Sequence, residues 1–208
     1  RTALFAIDQL TQLTCPIFFI KGNHDVSSGF FEKFSLPSNW VMFPDNKPET
    51  HLLKELKVAI HGRSYPTVQV SENLADQYPP PIKGFYNIGL LHTSLNVDNL
   101  YAPCTLQDLM AKGYNYWALG HTHQKAILSK DPWIVYAGNI HGRDIQERGP
   151  KGCFIVNVDN KQKTTAQFHP LSKITWDYLE VNTSKAKLEE LEERWLELEE
   201  IIEEKPEK

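Results

Sequence analysis

Three short apolar segments of this chain each lead into a histidine. Ile17–Ile20 precedes Gly22-Asn23-His24-Asp25, Tyr86–Leu91 precedes His92, and Tyr116–Leu119 precedes Gly120-His121-Thr122-His123. Short apolar runs bounded by glycine and polar residues favour buried strands. In open α/β sheets, ligands bind outside the carboxyl ends of the strands. The pattern therefore predicts one polar site built from three separate parts of the chain.

The remaining segments complete an α/β pattern. A helical apolar stripe runs over Thr2–Leu13 and is stopped by Pro16, and Leu106–Lys112 reads as a helix that ends at Gly113. Further strands are predicted at 56–61, 133–136 and 153–158, with a turn at 149–152 between the last two. The length of 208 residues allows one α/β domain with a hydrophobic core and a small appendage.

The end of the chain has a different pattern. Apolar residues recur there at spacings of three and four, with glutamates on the other faces, at Leu188, Leu191, Trp195, Leu198 and Ile202. This predicts an acidic amphipathic helix with Thr183 or Ser184 as its N-cap. The helix would pack on its own or a neighbouring domain; a coiled-coil or partner-helix contact is the alternative. We therefore predict two parts, residues 1–170 and an extension over 171–208.

Charge, hydropathy and cysteine spacing restrict the function classes. Net charge is −4, but residues 183–208 carry ten acidic and five basic side chains, so the rest of the chain carries +1. DNA binding would therefore need a local basic patch. No apolar run reaches the roughly 18–20 residues that span a bilayer, so no membrane partner is expected. Cys15, Cys104 and Cys153 are too widely spaced for a disulfide framework or zinc ribbon. This favours free thiols, buried or partly buried, in a reducing compartment, and a cytoplasmic location.

The histidines are candidates for metal ligands. His121 and His123, at positions i and i+2, would point to the same face of an extended segment. A backbone separation of roughly 6–7 Å suits ligands of two adjacent ions, which lie about 3.5–4 Å apart in two-metal sites. Two histidines in a polar turn are the alternative for this motif alone. The combination with Asn23, His24 and His92 favours a metal site over three unrelated turns.

The order of motifs, GNHD, then GLLHTS, then GHTH, resembles the calcineurin-like metallophosphoesterase family. Segments 61–65, 101–104, 116–119, 135–139 and 147–152 resemble one branch of it, the SbcD-like and YhaO-like DNA-repair exonucleases. The resemblance covers roughly residues 15–160. It implies the α/β sandwich of that family, in which two β-sheets are flanked by helices.

The resemblance also implies roles for individual residues. Asn23, His92 and His121 would ligate one metal ion, and His123 would ligate the other. His24 would contact the scissile phosphate and stabilise the transition state or protonate the leaving oxygen, and Asp25 would orient His24. The two divalent ions would polarise the phosphate and supply the nucleophile. Manganese is typical of this branch, and the mixed nitrogen and oxygen ligands also suit iron or zinc.

Other residues are candidates of lower rank. Arg63, His141 and Arg143 follow predicted strands and could contact the substrate, whereas the alternative is ordinary polar turns. Trp117 and Trp133 are predicted to be core aromatics.

The chain departs from the family pattern in one respect. Family members begin with an Asp-x-His and a Gly-Asp-x-x-Asp motif, which supply ligands of the first metal and a carboxylate that bridges both, and neither pattern occurs here. His51 and His61 follow Asn23, in the wrong order to replace them. We therefore expect a partial domain, lacking the N-terminal part of the fold and inactive by itself. A natural metal-poor relative that acts as a binding scaffold is the alternative.

Three functions stay open at this point. The resemblance implies a metal-dependent DNA exonuclease or endonuclease, the nuclease subunit of a DNA-repair complex that works with an SMC-like ATPase subunit. A phosphatase or nucleotide phosphodiesterase would use the same metal site. A non-catalytic interaction module would keep the fold without the metals. A homodimer is also left open.

Overall fold

The computed structural model describes residues 2–29, 31–33, 35–95 and 100–177, together with Trp195. The chain divides into two compact units, Arg1–Trp176 and Asp177–Lys208. Apart from Trp195, the acidic amphipathic helix predicted after residue 183 lies outside the described residues. The division into 1–170 and 171–208 stays a prediction.

The first unit alternates short helices with strands. In chain order its elements are α1 (Thr2–Thr11), β1 (Ile17–Phe19), α2 (Asn23–Ser28), β2 (Trp40–Met42), β3 (Glu49–Leu53), β4 (Val58–Gly62), β5 (Tyr86–His92), α3 (Leu106–Ala111), β6 (Tyr116–Gly120), β7 (Ala126–Lys130), β8 (Trp133–Tyr136), β9 (Gly152–Val158) and β10 (Thr164–Pro170). Single 3-10 turns lie at Phe31–Lys33 and Leu74–Gln77. None of the described helices is long and apolar enough to cross a membrane.

A six-stranded sheet forms the centre of this unit, in the order β3-β4-β5-β6-β8-β7. The four inner strands run parallel, and β3 and β7 are antiparallel edge strands. The carboxyl ends of β5 and β6 therefore lie side by side, with His92 paired to Gly120. The predicted α/β class is confirmed, with a central mixed sheet and few helices, as in the sandwich that the resemblance implies.

One face of the sheet carries the larger core. Alternation along β6 turns Trp117 and Leu119 to this face, where they pack with Leu109 of α3 and Leu74 of a 3-10 turn. Trp117 is fully buried, as predicted, and its indole N–H donates to the Leu109 carbonyl at 3.1 Å. Burial on both faces explains why the inner strands are nearly continuous apolar runs.

The opposite face packs against the antiparallel hairpin of β9 and β10. Tyr86 and Tyr116 lie there with Phe154 of β9. The Tyr86 hydroxyl is 2.6 Å from Thr164 Oγ1 in β10, which ties the two layers together. Trp133 is partly buried against the same cluster. Its strand has the predicted bounds, but β9 belongs to a different sheet, so the predicted turn at 149–152 does not join neighbouring strands.

Strands β1 and β2 form a separate, parallel two-stranded sheet. The loop after β1 is bonded to the loop after β4: Tyr65 N donates to the Lys21 carbonyl at 2.9 Å, and Lys21 N donates to Ser64 Oγ at 3.0 Å. These bonds bring the Gly22-Asn23-His24-Asp25 segment to the carboxyl edge of the large sheet.

Helix α1 ends earlier than predicted, at Thr11 rather than at Leu13. The Asn39 side-chain amide donates to the carbonyls of Leu10 and Leu13 at 3.1 and 3.0 Å. Carbonyls at the end of a helix lack partners within the helix, and this amide supplies one. The side chain of Asn39, rather than Pro16, therefore provides hydrogen bonds to the C-terminal end of helix α1.

Cysteine alkylation tests the packing of the larger core. Cys104 is 1% exposed, and burial is the main cause that raises the pKa of its thiol to about 11. At pH ~8 this thiol stays protonated and is unreactive, because the thiolate is the nucleophile. Cys15 is exposed, contrary to the prediction of buried thiols. We expect iodoacetamide to label Cys15 quickly and Cys104 only after denaturation, as read by peptide mass spectrometry. Equal labelling rates in the native protein would contradict this core.

Candidate metal centre

The Gly22-Asn23-His24-Asp25 segment begins a helix, α2, which the sequence did not predict. The Asp25 carboxylate accepts a hydrogen bond from Gly22 N at 2.8 Å, which satisfies an N–H group at the helix start. Gly29, in the left-handed region at φ 55°, ends the helix after six residues. Asn23 is thereby buried, whereas His24 is exposed.

His92 is the centre of the cluster. It is the last residue of β5, and its Nε2 lies 2.9 Å from Asn23 Oδ1. Its ring lies between two glycines, since a Cβ added to Gly22 would stand 2.5 Å from the ring and one added to Gly120 would stand 3.0 Å from it. The His121 ring meets it edge-on, with 5.3 Å between ring centroids. Asn23, His92 and His121, predicted from three separate segments, are therefore brought together.

The two central imidazoles are electrostatically disposed to remain neutral. Burial, followed by the positive charges of His121, His24 and His123, lowers the pKa of His92 to about 4. Burial, followed by His123 and His24, also lowers the pKa of His121. His24, His121 and His123 all lie near enough to His92 to contribute to this shift. A neutral imidazole keeps a nitrogen lone pair, which is the form that binds metal ions.

Two tyrosines pack against these rings. The buried Tyr65 meets His92 edge-on with 4.8 Å between centroids, and Tyr101 stacks on His121 at the same separation. Both contacts restrict the orientation of an imidazole. The contact of Tyr101 was not predicted, because it depends on the loop before α3, in which Ala102 N donates to the Val70 carbonyl.

The second motif is bent rather than extended. His121 has a φ of 102°, which β-strand residues do not adopt. The prediction that His121 and His123 share the face of an extended segment is therefore wrong. The chain turns at His121, whose ring stacks on Tyr101, and His123 takes a different partner. His123 Nδ1 lies 2.5 Å from Glu147 Oε1, a contact that the sequence did not predict.

The remaining candidates occupy different environments. Asp25 is bonded to the Gly22 backbone, and its predicted action on His24 stays a prediction. Arg63 is buried, and its guanidinium donates to the Asp45 carbonyl at 3.0 Å and to Gln77 Oε1 at 2.5 Å. Both bonds fasten loops.

His141 and Arg143 are exposed. Arg143 lies next to the cluster, with its Nη2 3.5 Å from His123 Nδ1. These placements leave the predicted substrate contacts as predictions.

The donor set fits part of the ligand shell of a divalent ion. An amide oxygen and two neutral imidazoles suit manganese, iron or zinc. His92 Nε2 donates to Asn23 Oδ1 at 2.9 Å, and an ion bound by both atoms would take the place of that proton. The spacing fits two adjacent ligands, since metal bonds of about 2.1 Å at right angles put ligand atoms roughly 3 Å apart. In the described ranges, no three His, Cys, Asp or Glu side chains group closely enough to hold an ion. An ion here would therefore need the Asn23 amide.

Comparison with known proteins supports this interpretation. No protein-family model matches the chain. The chain is 32% identical over 187 residues to a Bacillus subtilis (strain 168) protein named uncharacterized metallophosphoesterase YhaO. The match covers 86% of this chain and 46% of that protein, so the chain spans about half the length of the curated relative. The similarity supports a metal-dependent phosphoesterase and, with it, divalent-metal chemistry in general.

Replacing Gly22 with alanine tests the position of His92. Gly22 has φ −96° and ψ −176°, which alanine tolerates, so the effect is one of space alone. The new methyl group would displace the His92 ring and weaken Mn²⁺ binding by about tenfold or more. Calorimetric titration with Mn²⁺ measures this. Gly84→Ala is the control: its φ of 83° disfavours alanine, but an added Cβ there meets nothing within 4 Å, so this variant can lose stability without displacing His92. Equal Mn²⁺ affinities for both variants would refute the proposed position.

Proposed function

We propose that this chain forms part of the active site of a metal-dependent phosphodiesterase that hydrolyses DNA, as a nuclease subunit of a DNA-repair complex. The observation that carries the proposal is the convergence of Asn23, His92 and His121, with an exposed histidine, His24, directly after the buried Asn23. Partly enclosed neutral ligands beside an exposed histidine suit metal-assisted hydrolysis with general acid catalysis.

Two sets of residues would hold the metal ions. Asn23, His92 and His121 would bind one ion, and His123 would contribute to the second. Bound divalent ions would act as Lewis acids on the phosphoryl oxygens and lower the pKa of water. Manganese is the proposed metal.

His24 and Arg143 would act on the substrate directly. His24 is exposed at the start of α2, where it can donate a proton to the leaving oxygen. The exposed Arg143 can receive a phosphate, because a guanidinium presents paired donors to phosphate oxygens. His141, in the same exposed loop, would add a second contact. Arg63 would act indirectly, because its guanidinium is bonded within the protein.

DNA is the proposed substrate because of the resemblance to the SbcD-like and YhaO-like branch. An SMC-like ATPase is the partner proposed on the same ground. Arg143 and Arg148 are both exposed in the loop between β8 and β9, where they could contact the DNA backbone.

Replacing His24 tests its catalytic role. In the full-length protein, His24→Ala should lower kcat on a DNA substrate about 10²- to 10⁴-fold, the usual contribution of a general acid. Mn²⁺ affinity should stay unchanged, because His24 is not among the proposed ligands. His169→Gln, in the hairpin strand β10, is the matched control and should keep full activity. Unchanged hydrolysis by His24→Ala would overturn the role.

The choice of substrate tests the DNA proposal. Hydrolysis of a labelled duplex oligonucleotide should exceed hydrolysis of bis-p-nitrophenyl phosphate and of nucleotide monophosphates in kcat/KM, because extended contacts position the scissile bond. Higher kcat/KM on the small esters would favour a phosphatase or nucleotide phosphodiesterase. Absence of metal from the full-length protein, read by plasma mass spectrometry, would favour a non-catalytic module instead.

A further inference from the structure

The carboxylate of Glu147 is the most heavily bonded side chain beside the cluster. Glu147 is 9% exposed. Its Oε2 accepts from Asn139 Nδ2 and from Arg143 N, both at 2.8 Å, and its Oε1 accepts from Arg143 Nη2 at 2.9 Å. Oε1 also lies 2.5 Å from His123 Nδ1. These three hydrogen bonds from Asn139 and Arg143 hold the Glu147 carboxylate in one orientation. The carboxylate can therefore orient the His123 ring.

The contacts of Glu147 determine which nitrogen of His123 carries the proton. Glu147 accepts hydrogen bonds from the Asn139 side chain, the Arg143 backbone and the Arg143 guanidinium, so both of its carboxylate oxygens act as acceptors. His123 Nδ1 must then donate at 2.5 Å. In neutral His123 the lone pair is therefore on Nε2, the nitrogen that remains for a metal ion. The 3.5 Å approach of Arg143 Nη2 to Nδ1 is then a contact between two donors.

The backbone of His123 is held by a second charged group. Lys151 is 3% exposed, and its ammonium donates to the His123 carbonyl at 2.9 Å and to Gln124 Oε1 at 3.1 Å. None of the described ion pairs includes Lys151. Burying an ammonium against neutral oxygens is unfavourable in itself. The burial of the Lys151 ammonium is explained if this group serves to hold the His123 backbone in the position that the function needs.

The segment that follows β8 contacts the backbone of His123. Gly138 has a φ of 76°, and an added Cβ would stand 2.9 Å from the His123 carbonyl oxygen. Asn139 N donates to that same carbonyl at 3.3 Å. The segment 138–151 therefore contacts His123 at its backbone through Gly138, Asn139 and Lys151, and at its ring through Glu147.

We infer that Glu147 and Lys151 are positioning residues that together present Nε2 of His123 to a divalent cation, Glu147 by setting the ring and Lys151 by setting the backbone. The inference rests on the proposed function, since it concerns the same site. Carboxylate partners of metal-binding histidines fix the tautomer and ring orientation in other metal sites. The two residues act through His123 and touch no reacting atom.

The tautomer of His123 can be measured without any metal. Long-range ¹H–¹⁵N spectra of protein labelled at histidine nitrogens, recorded at pH ~8 where imidazoles are neutral, distinguish the two tautomers. We expect the Nδ1–H form in the unsubstituted protein and a mixture in Glu147→Ala. Glu147→Gln should keep the Nδ1–H form, because the amide oxygen still accepts. Lys151→Met should keep it too.

His61 serves as an internal reference in the same spectra. Its ring is bonded to Thr50 and Asn87 in the sheet, at 2.7 and 3.0 Å, and lies outside the 138–151 segment. Unchanged His61 signals show that a variant is folded. Should Glu147→Ala fail to fold, the tautomer of the unsubstituted protein and the Mn²⁺ affinity of Lys151→Met still test the inference.

Mn²⁺ affinity, measured from the free-ion signal in electron paramagnetic resonance, tests both Glu147 and Lys151, whereas the tautomer spectra test Glu147 alone. Glu147→Ala and Lys151→Met should each weaken binding about 10- to 100-fold, the usual effect of losing an outer partner of a ligand, and Glu147→Gln should weaken it less. The matched controls Glu55→Gln and Lys54→Met, both in an exposed turn, should bind as the unsubstituted protein does.

Three results would overturn the inference: an Nε2–H tautomer in the unsubstituted protein, His123 signals unmoved by Glu147→Ala, or full Mn²⁺ affinity in both Glu147→Ala and Lys151→Met. If the unsubstituted protein binds no Mn²⁺, the proposed function is wrong, and so is the claim that Nε2 of His123 is presented to a cation. The tautomer spectra then still decide whether Glu147 sets the ring.

Discussion

The His92 imidazole fills a slot between two glycines, and the geometry of the site depends on this packing. Gly22 belongs to the turn that begins α2 and Gly120 ends β6, and a side chain at either position would meet the ring. Burial of the ring, followed by the effects of His121, His24 and His123, lowers its pKa to about 4, so it stays neutral across the physiological range. The same contact sets Asn23 Oδ1 at 2.9 Å from Nε2. One largely enclosed side chain therefore holds three chain segments in register.

The parallel sheet makes this slot possible. Parallel pairing of β5 with β6 puts His92 opposite Gly120, and the bonds from Lys21 to Ser64 and Tyr65 bring the α2 turn to the same edge. The periphery of the site is built differently. His123 lies past the bend at His121 and is held by the segment after β8, through hydrogen bonds to charged groups. Packing thus fixes the central ligands, and hydrogen bonding fixes the outer one.

The strands that are buried on both faces could be predicted from the sequence. The inner strands β5, β6 and β8 are buried on both faces, so their apolar runs were recognisable, and the residues at their carboxyl ends could be assigned to one site. Strands β3 and β7 lie at edges with mixed exposure and gave no such run. Helix α2 escaped prediction because its sequence NHDVSS has almost no apolar stripe and its start depends on one Asp25 contact. Glu147 escaped because its partner is 24 residues away along the chain.

Anomalous diffraction from crystals soaked in Mn²⁺ tests the central claim most directly. The slot that holds His92 should present its Nε2 together with Asn23 Oδ1 to one ion. The account predicts an anomalous peak within bonding distance of both atoms, about 2.0–2.3 Å. A peak elsewhere on the protein, with none beside His92 and Asn23 at saturating Mn²⁺, would contradict it.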